Sequence, residues 1–199
     1  MTVDGKTKII EAARKIISES GTAAATTRAI AREAGMTTGT IYHYYRSKED
    51  IMADVVDQNL SVSTRVAEKI QSQAYDYEEV ITDLLEIARE RFRKITDCRL
   101  QFYLAHESMM GNEELHKIYT RNYDDWVGRA EVIIDNIYGV PPTRLNRAIA
   151  TWMIATVDGV ILQMLLGTKM EDTDDLMKVW ELLIREGVPA ILKAIPPEI

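Results

Sequence analysis

Eight consecutive residues, "TTGTIYHY" from Thr37 to Tyr44, carry six side chains able to donate or accept a hydrogen bond, with Gly39 among them. On one short helix, Ile41 and the following Tyr45 turn inward at i, i+4 spacing. Thr37, Thr38, Thr40, Tyr42, His43 and Tyr44 are then left on the remaining face. Hydroxyls and an imidazole offered together suit phosphate oxygens and base edges in a DNA major groove. A second constellation lies further along. Phe102, His106, Met109 and Met110 recur at i, i+4, i+7, i+8, and Tyr119, Tyr123 and Trp126 at i, i+4, i+7. Two such stripes would line a cavity for a largely apolar small molecule, with tyrosine hydroxyls or His106 orienting a polar end. For any one of these residues, the same stripes more simply describe helices that face a core.

Nothing comparable points to catalysis. Glu113 and His116 in "EELH" have the spacing of half a di-metal carboxylate site, but the sequence holds no second Glu-x-x-His. His106-Glu107 lacks the second histidine of a zinc protease helix, and neither G-x-S-x-G nor a phosphate-binding loop occurs. The single cysteine, Cys98, reads as a small buried hydrophobe in a reducing compartment. The expectation is a protein that is not an enzyme and uses no metal and no cofactor.

The elements that position these residues are helices. Apolar residues recur at helical spacing almost throughout, which predicts an all-α fold of about nine helices. Ile9, Ala13, Ile16, Ile17 and Ser20 form the stripe of a first helix that Gly21 ends as a left-handed cap. Thr26 is placed to cap "TRAIAREA", which stops at Gly35, and Thr37 to cap "TGTIYHYY". Ser47 with Asp50 makes a capping box that starts helix four near Lys48. That helix is expected to run on through "QNLSVSTRVAEKIQSQ" and link residues 1–50 to a larger helical body over residues 51–199. Further helices are expected at 77–95, 98–110, 113–138, 143–166 and 173–195. The breaks fall at Gly111-Asn112, Gly139 to Pro142 and Gly167 to Asp172.

Charge follows the same division. The 199-residue chain has a net charge of −7. Residues 1–50 hold eight Lys and Arg against six Asp and Glu, whereas residues 51–199 hold 16 against 25. The total argues against indiscriminate coating of nucleic acid, whose affinity comes mainly from phosphate neutralisation. No signal peptide is apparent, and apolar runs such as "GVILQMLLG" are short of a membrane span. A cytoplasmic protein with no membrane partner is expected.

Two short helices about a glycine turn match a helix-turn-helix. The block "ATTRAIAREAGMTTGTIYHYYRSKEDI", with Gly21 before it, resembles the DNA-binding domain of the TetR family of transcriptional regulators over roughly the first 55 residues. The resemblance implies a helix-turn-helix head on a helical ligand-binding and dimerisation domain. It implies DNA contacts from Thr26, Thr27, Arg28, Thr37, Thr38, Gly39, Thr40, Tyr42, His43, Tyr44 and Lys48. Thr38 and Tyr44 depart from a common family pattern of lysine and histidine at those places, which puts their contacts in doubt. The partners implied are a palindromic double-stranded operator, a small-molecule effector and a second copy of the chain. A four-helix bundle from the last two helices, with Ala148, Ala155 and Gly159 permitting close packing, would join the copies. The function read from this is a ligand-released repressor. The alternative is a small helical enzyme or lipid carrier that uses the body pocket and keeps the head as a structural module.

Overall fold

The computed structural model describes residues 4–57, 76–169 and 172–195. Among these residues every regular element is helical. The order is α1 (Gly5–Ser20), a 3₁₀ turn (Thr22–Ala24), α2 (Thr27–Glu33), α3 (Thr38–Tyr44), α4 (Lys48–Asp57), α5 (Tyr77–Arg93), α6 (Ile95–Met109), α7 (Glu113–Ile137), α8 (Arg144–Leu166) and α9 (Thr173–Leu182). A π-helical turn (Leu183–Gly187) then joins α9 to α10 (Val188–Ala194). The expected continuation of helix four past Asp57 lies outside the described residues. The chain divides into two compact units, Met1–Asn59 with Arg99–Arg121, and Leu60–Cys98 with Asn122–Ile199.

In the first unit, α1 buries Ile9, Ile10, Ala12, Ala13 and Ile17. The stripe is thus rotated from the expected one: Ile16 is only partly covered and Ser20 is exposed, while Ile10 and Ala12 face inward. Ile30 and Ala31 of α2, Ile41 of α3, and Ile51, Met52, Val55 and Val56 of α4 complete this core. Gly21 does end α1 at positive φ, but at φ 79°, ψ 171° it is not in the left-handed helical region. Its backbone is extended on the side of the map open essentially to glycine alone, and its N–H closes on the Ile17 carbonyl.

In the second unit, Val127, Ile134, Ile149, Ala150 and Val188 pack together, with Val80 and Ile133 as a satellite cluster. Thr143 caps α8 by accepting from the Asn146 N–H, and Gly167 stops it in the left-handed conformation at φ 69°. Two boundaries differ from expectation. Between α5 and α6 only Lys94 leaves helical geometry (φ −93°, ψ 45°), because no glycine or proline is there to hold a longer break. The helix expected over 173–195 is continuous but contains the π turn, and Pro189 explains it. A proline ring clashes with the carbonyl four residues back and brings no N–H. Val188 donates to the Leu183 carbonyl, five residues back, and the Ile184 carbonyl is taken by the Tyr138 hydroxyl at 2.7 Å.

Helix α8 also corrects the reading of the apolar runs. By length and composition it is apolar enough to cross a membrane, because its threonines and glycine interrupt the runs without making the helix polar. Only 28% of its most apolar stretch is buried within the protein. Its exposed residues include Trp152, Leu162 and Leu166, and the α9–α10 segment exposes Val179, Leu182 and Ile191.

Candidate nucleic-acid interface

Local hydrogen bonds fix the block between Thr26 and Asp50. The Thr26 hydroxyl accepts from the Ala29 N–H at 3.1 Å and caps α2. Gly35 turns the chain at φ 67°, and the Met36 N–H returns to the Ala31 carbonyl at 2.8 Å. The Thr37 hydroxyl oxygen accepts from the Thr40 N–H at 3.0 Å and lies 2.9 Å from the Thr40 hydroxyl. Ser47 and Asp50 form the expected reciprocal box: the Asp50 N–H reaches the Ser47 hydroxyl, and the Ser47 N–H reaches the Asp50 carboxylate. Each capping side chain satisfies donors that a helix start leaves open.

Tertiary contacts then set the roll of α3. Ile41 is 1% exposed and Tyr45 5%. The Tyr45 hydroxyl donates to Asp54 at 2.8 Å, and the Lys6 ammonium meets the same carboxylate oxygen at 3.3 Å while standing 5.1 Å from the centre of the Tyr45 ring. Burial, and after it the bond to Asp54, pushes the Tyr45 hydroxyl well above the usual phenol range. It stays a neutral donor. With these two residues inward, Thr37, Thr38, Gly39, Tyr42 and His43 are exposed, Tyr42 at 59%, and Thr40 is half-buried. Thr26 and Arg28 are exposed at the start of α2, with Thr27 half-buried.

Two more of the predicted residues, besides the capping threonines, have a partner within the protein. Lys48 is half-buried, and its ammonium donates to the Thr22 carbonyl at 3.1 Å. Tyr44, 40% exposed, leans its hydroxyl on the first turn of α1, where a β-carbon at Gly5 would overlap it. Glycine at position 5 therefore makes the seat for Tyr44. This contact joins the end of α3 to α1.

The expected ligand stripes are dispersed. On α6, His106 is exposed, and Met109 and Met110 stand 75% and 73% in solvent. The buried residues of that stretch are instead Cys98, Leu100, Gln101, Leu104 and Ser108, and Phe102 is only half-covered. The reading that 102, 106, 109 and 110 share one inward face is thereby corrected. A helix with apolar residues around its whole circumference does not specify its inner side by spacing alone. Tyr119, in the same unit, is buried with its hydroxyl donating to the Gln101 carbonyl at 2.6 Å. In the second unit Trp126 is buried, and the Tyr123 ring lies against it at a tilt of 55° with ring centres 4.6 Å apart.

Sequence reasoning missed the polar node beside that pair. The Tyr123 hydroxyl donates to Asp158 at 2.7 Å, and Asp158 pairs with Arg91 at 2.9 Å, the two charged side chains only 14% and 11% exposed. A signal existed, since Asp158 is the one charged residue between Arg147 and Lys169. A lone carboxylate in an apolar helix needs a buried partner. Cys98 is buried as expected; burial raises its thiol pKa and outweighs the nearby Arg91, so it remains a thiol. Among the described residues no three His, Cys, Asp or Glu side chains come together to hold a metal ion.

Comparisons with known proteins agree with this geometry. The family model described as bacterial regulatory proteins, tetR family, matches residues 9–55, the span from α1 into α4. The HTH-type transcriptional repressor AcnR of Corynebacterium glutamicum is 24% identical over 194 residues, covering 92% of this chain and 94% of that protein. The HTH-type transcriptional regulator UidR of Escherichia coli K12 is 31% identical over 90 residues, 44% of each chain. Among solved structures, the fatty acid degradation regulator FadR from Bacillus halodurans superimposes with a TM-score of 0.65 at 23% identity. That match covers 94% of this chain and 97% of the other.

Proposed function

Because the chain belongs to the TetR family of transcriptional regulators, we propose that it is a cytoplasmic repressor that binds a palindromic operator as a homodimer and is released by a small, largely apolar ligand. It is a regulator and not an enzyme, as its relatives and fold neighbours are. The observation that carries the proposal is the face of α3: Thr38, Gly39, Tyr42 and His43 exposed together on a helix whose roll is fixed by buried Ile41 and Tyr45. Thr26, Thr27 and Arg28 would meet phosphate at the start of α2, and Lys48 would add a charge-assisted contact. The hydroxyls of Thr37 and Thr40 would act mainly through the cap they form. Tyr44 would steady the helix from its seat on Gly5.

A single head reads too few base pairs for specificity, so a second copy is needed about one helical turn away. The apolar residues exposed on α8 and α9–α10 support those helices as the surface that pairs with it. For the ligand, the reading rests on Tyr123 and Trp126 with the Asp158–Arg91 pair behind them, an aromatic wall with one polar end. A ligand acts as a switch only by favouring one of two conformations of the regulator, and a coupling of about 1–3 kcal/mol changes operator affinity roughly 5–150-fold.

Gel shifts against the palindromes upstream of the protein's own gene test the proposal. Specific retention that competitor DNA of unrelated sequence does not abolish is expected; its absence at low salt would refute operator binding. A thermal-shift screen of lipophilic compounds identifies the ligand class, since binding to the native state raises apparent stability.

A further inference from the structure

We propose that Glu107 on α6 is a positioning residue for DNA binding: its carboxylate holds Thr22, and Thr22 holds the Lys48 ammonium. The inference rests on the phosphate-contact role given above to Lys48. Thr22 opens the 3₁₀ turn between α1 and α2 and is bonded from both ends. Its hydroxyl donates to Glu107, 85 residues away in sequence. Its carbonyl accepts from the Ala25 N–H at 3.2 Å and from Lys48 at 3.1 Å, so both lone pairs are occupied and the carbonyl direction is fixed.

Glu107 is held in turn. It also accepts from the Tyr103 hydroxyl, a bond that raises the Tyr103 pKa above the usual phenol range. Tyr103 lies against Gly21, where an added β-carbon would stand 3.3 Å from its hydroxyl oxygen. At φ 79° that position tolerates little besides glycine. Glu107, Tyr103, Gly21, Thr22 and Lys48 thus form one connected set within the first unit.

The chemistry explains what such a set achieves. Lysine is a compact charge on a flexible stem, and ordering that stem on a phosphate costs entropy. A neutral carbonyl orders the stem beforehand without neutralising the charge, and two of the three ammonium protons remain for the phosphate. A carboxylate beside Lys48 would instead compete with the phosphate. Glu107 is engaged by two hydroxyls and acts on Lys48 only through Thr22.

The test uses the full chain and the duplex it enriches from a randomised library, with affinity measured by fluorescence anisotropy across a salt series. Lys48→Ala is expected to weaken binding and to flatten the salt dependence by about 0.9 in log–log slope, the loss of one phosphate contact. Glu107→Ala should weaken binding about 5–10-fold, flatten the slope in the same direction and add nothing to Lys48→Ala. Glu107→Gln keeps an acceptor oxygen and should recover most of the affinity. Thr22→Val should behave as Glu107→Ala, and it carries the cycle if Glu107→Ala does not fold. Wild-type affinity in both Thr22→Val and Glu107→Ala, or losses fully additive with Lys48→Ala, would overturn the inference while leaving operator binding standing. Enrichment of no duplex by the wild-type chain would overturn operator binding and this inference together.

Discussion

The head and the body place their polar groups in opposite ways. Around α3 the core is Ile9, Ile17, Ile30 and Ile41, and hydrogen-bonding side chains stand outside. In the second unit Asn146 is buried and the Arg91–Asp158 pair is mostly covered, while Trp152, Leu166, Val179 and Leu182 are exposed. Each surface matches a different partner: hydroxyls, imidazole and guanidinium suit phosphates and base edges, and an apolar helix face suits a second apolar face. The contrast teaches that the DNA and dimer surfaces proposed above rest on what each unit leaves outside, and the ligand site on what the second unit holds inside.

The largest expected effect comes from the polar interior of the body. Asp158→Ala removes the carboxylate that receives both Arg91 and Tyr123, and should destabilise the protein by about 3–5 kcal/mol in urea unfolding. Replacing Arg91 and Asp158 together by Met and Leu should cost much less, since the buried charges go as a pair. In the head the matching test is apolar: Ile41→Ala should cost about 2–4 kcal/mol through the cavity it leaves. If Asp158→Ala were neutral, the polar node would not be a fixed part of the interior.

Alkaline unfolding sharpens the same comparison at smaller amplitude, because a tyrosine in each unit, Tyr45 in the first and Tyr138 in the second, has its pKa raised mainly by burial. With folded pKa values raised, the unfolded chain loses these protons first. Their contribution is complete below the ordinary phenol value of about 10 and is lost as pH rises beyond it. Urea midpoints of the wild type should fall more steeply above about pH 10 than those of Tyr45→Phe or Tyr138→Phe. Near neutral pH each variant should lose about 1 kcal/mol with its hydrogen bond to Asp54 or to the Ile184 carbonyl.

The smallest effect on stability belongs to Gly5→Ala. Alanine favours α1, whereas its β-carbon must displace the far end of a half-exposed tyrosine ring, so the net change should be within about 0.5 kcal/mol. Operator affinity should nevertheless fall severalfold as Tyr44 leaves its seat. Equal affinity would mean that this contact does not position α3.

How much was legible in the sequence follows the range of the interactions. Thr26, Thr37 and the Ser47–Asp50 box act within three residues, and Gly35 sets its turn alone, so the head's elements were readable from local spacing. The inward placement of Ile41 and Tyr45 was readable as well, because the rest of that helix is polar. The outward turn of Met109 and Met110 was not: α6 has apolar residues on every side, and only packing selects among them. The contacts Thr22–Glu107 and Gly5–Tyr44 join residues 85 and 39 positions apart and leave no periodic trace. The π turn had a readable cause in Pro189, but the partner that satisfies the Ile184 carbonyl, Tyr138, depends on the packing of α7.

The central claim is that the exposed face of α3 reads DNA. Its most direct measurement is the affinity of Tyr42→Ala for the enriched duplex, set beside its melting temperature. Tyr42 is 59% exposed, so the account predicts at least a tenfold loss, about 1.4 kcal/mol, with an unchanged melting temperature. Wild-type affinity in a folded Tyr42→Ala protein would contradict it.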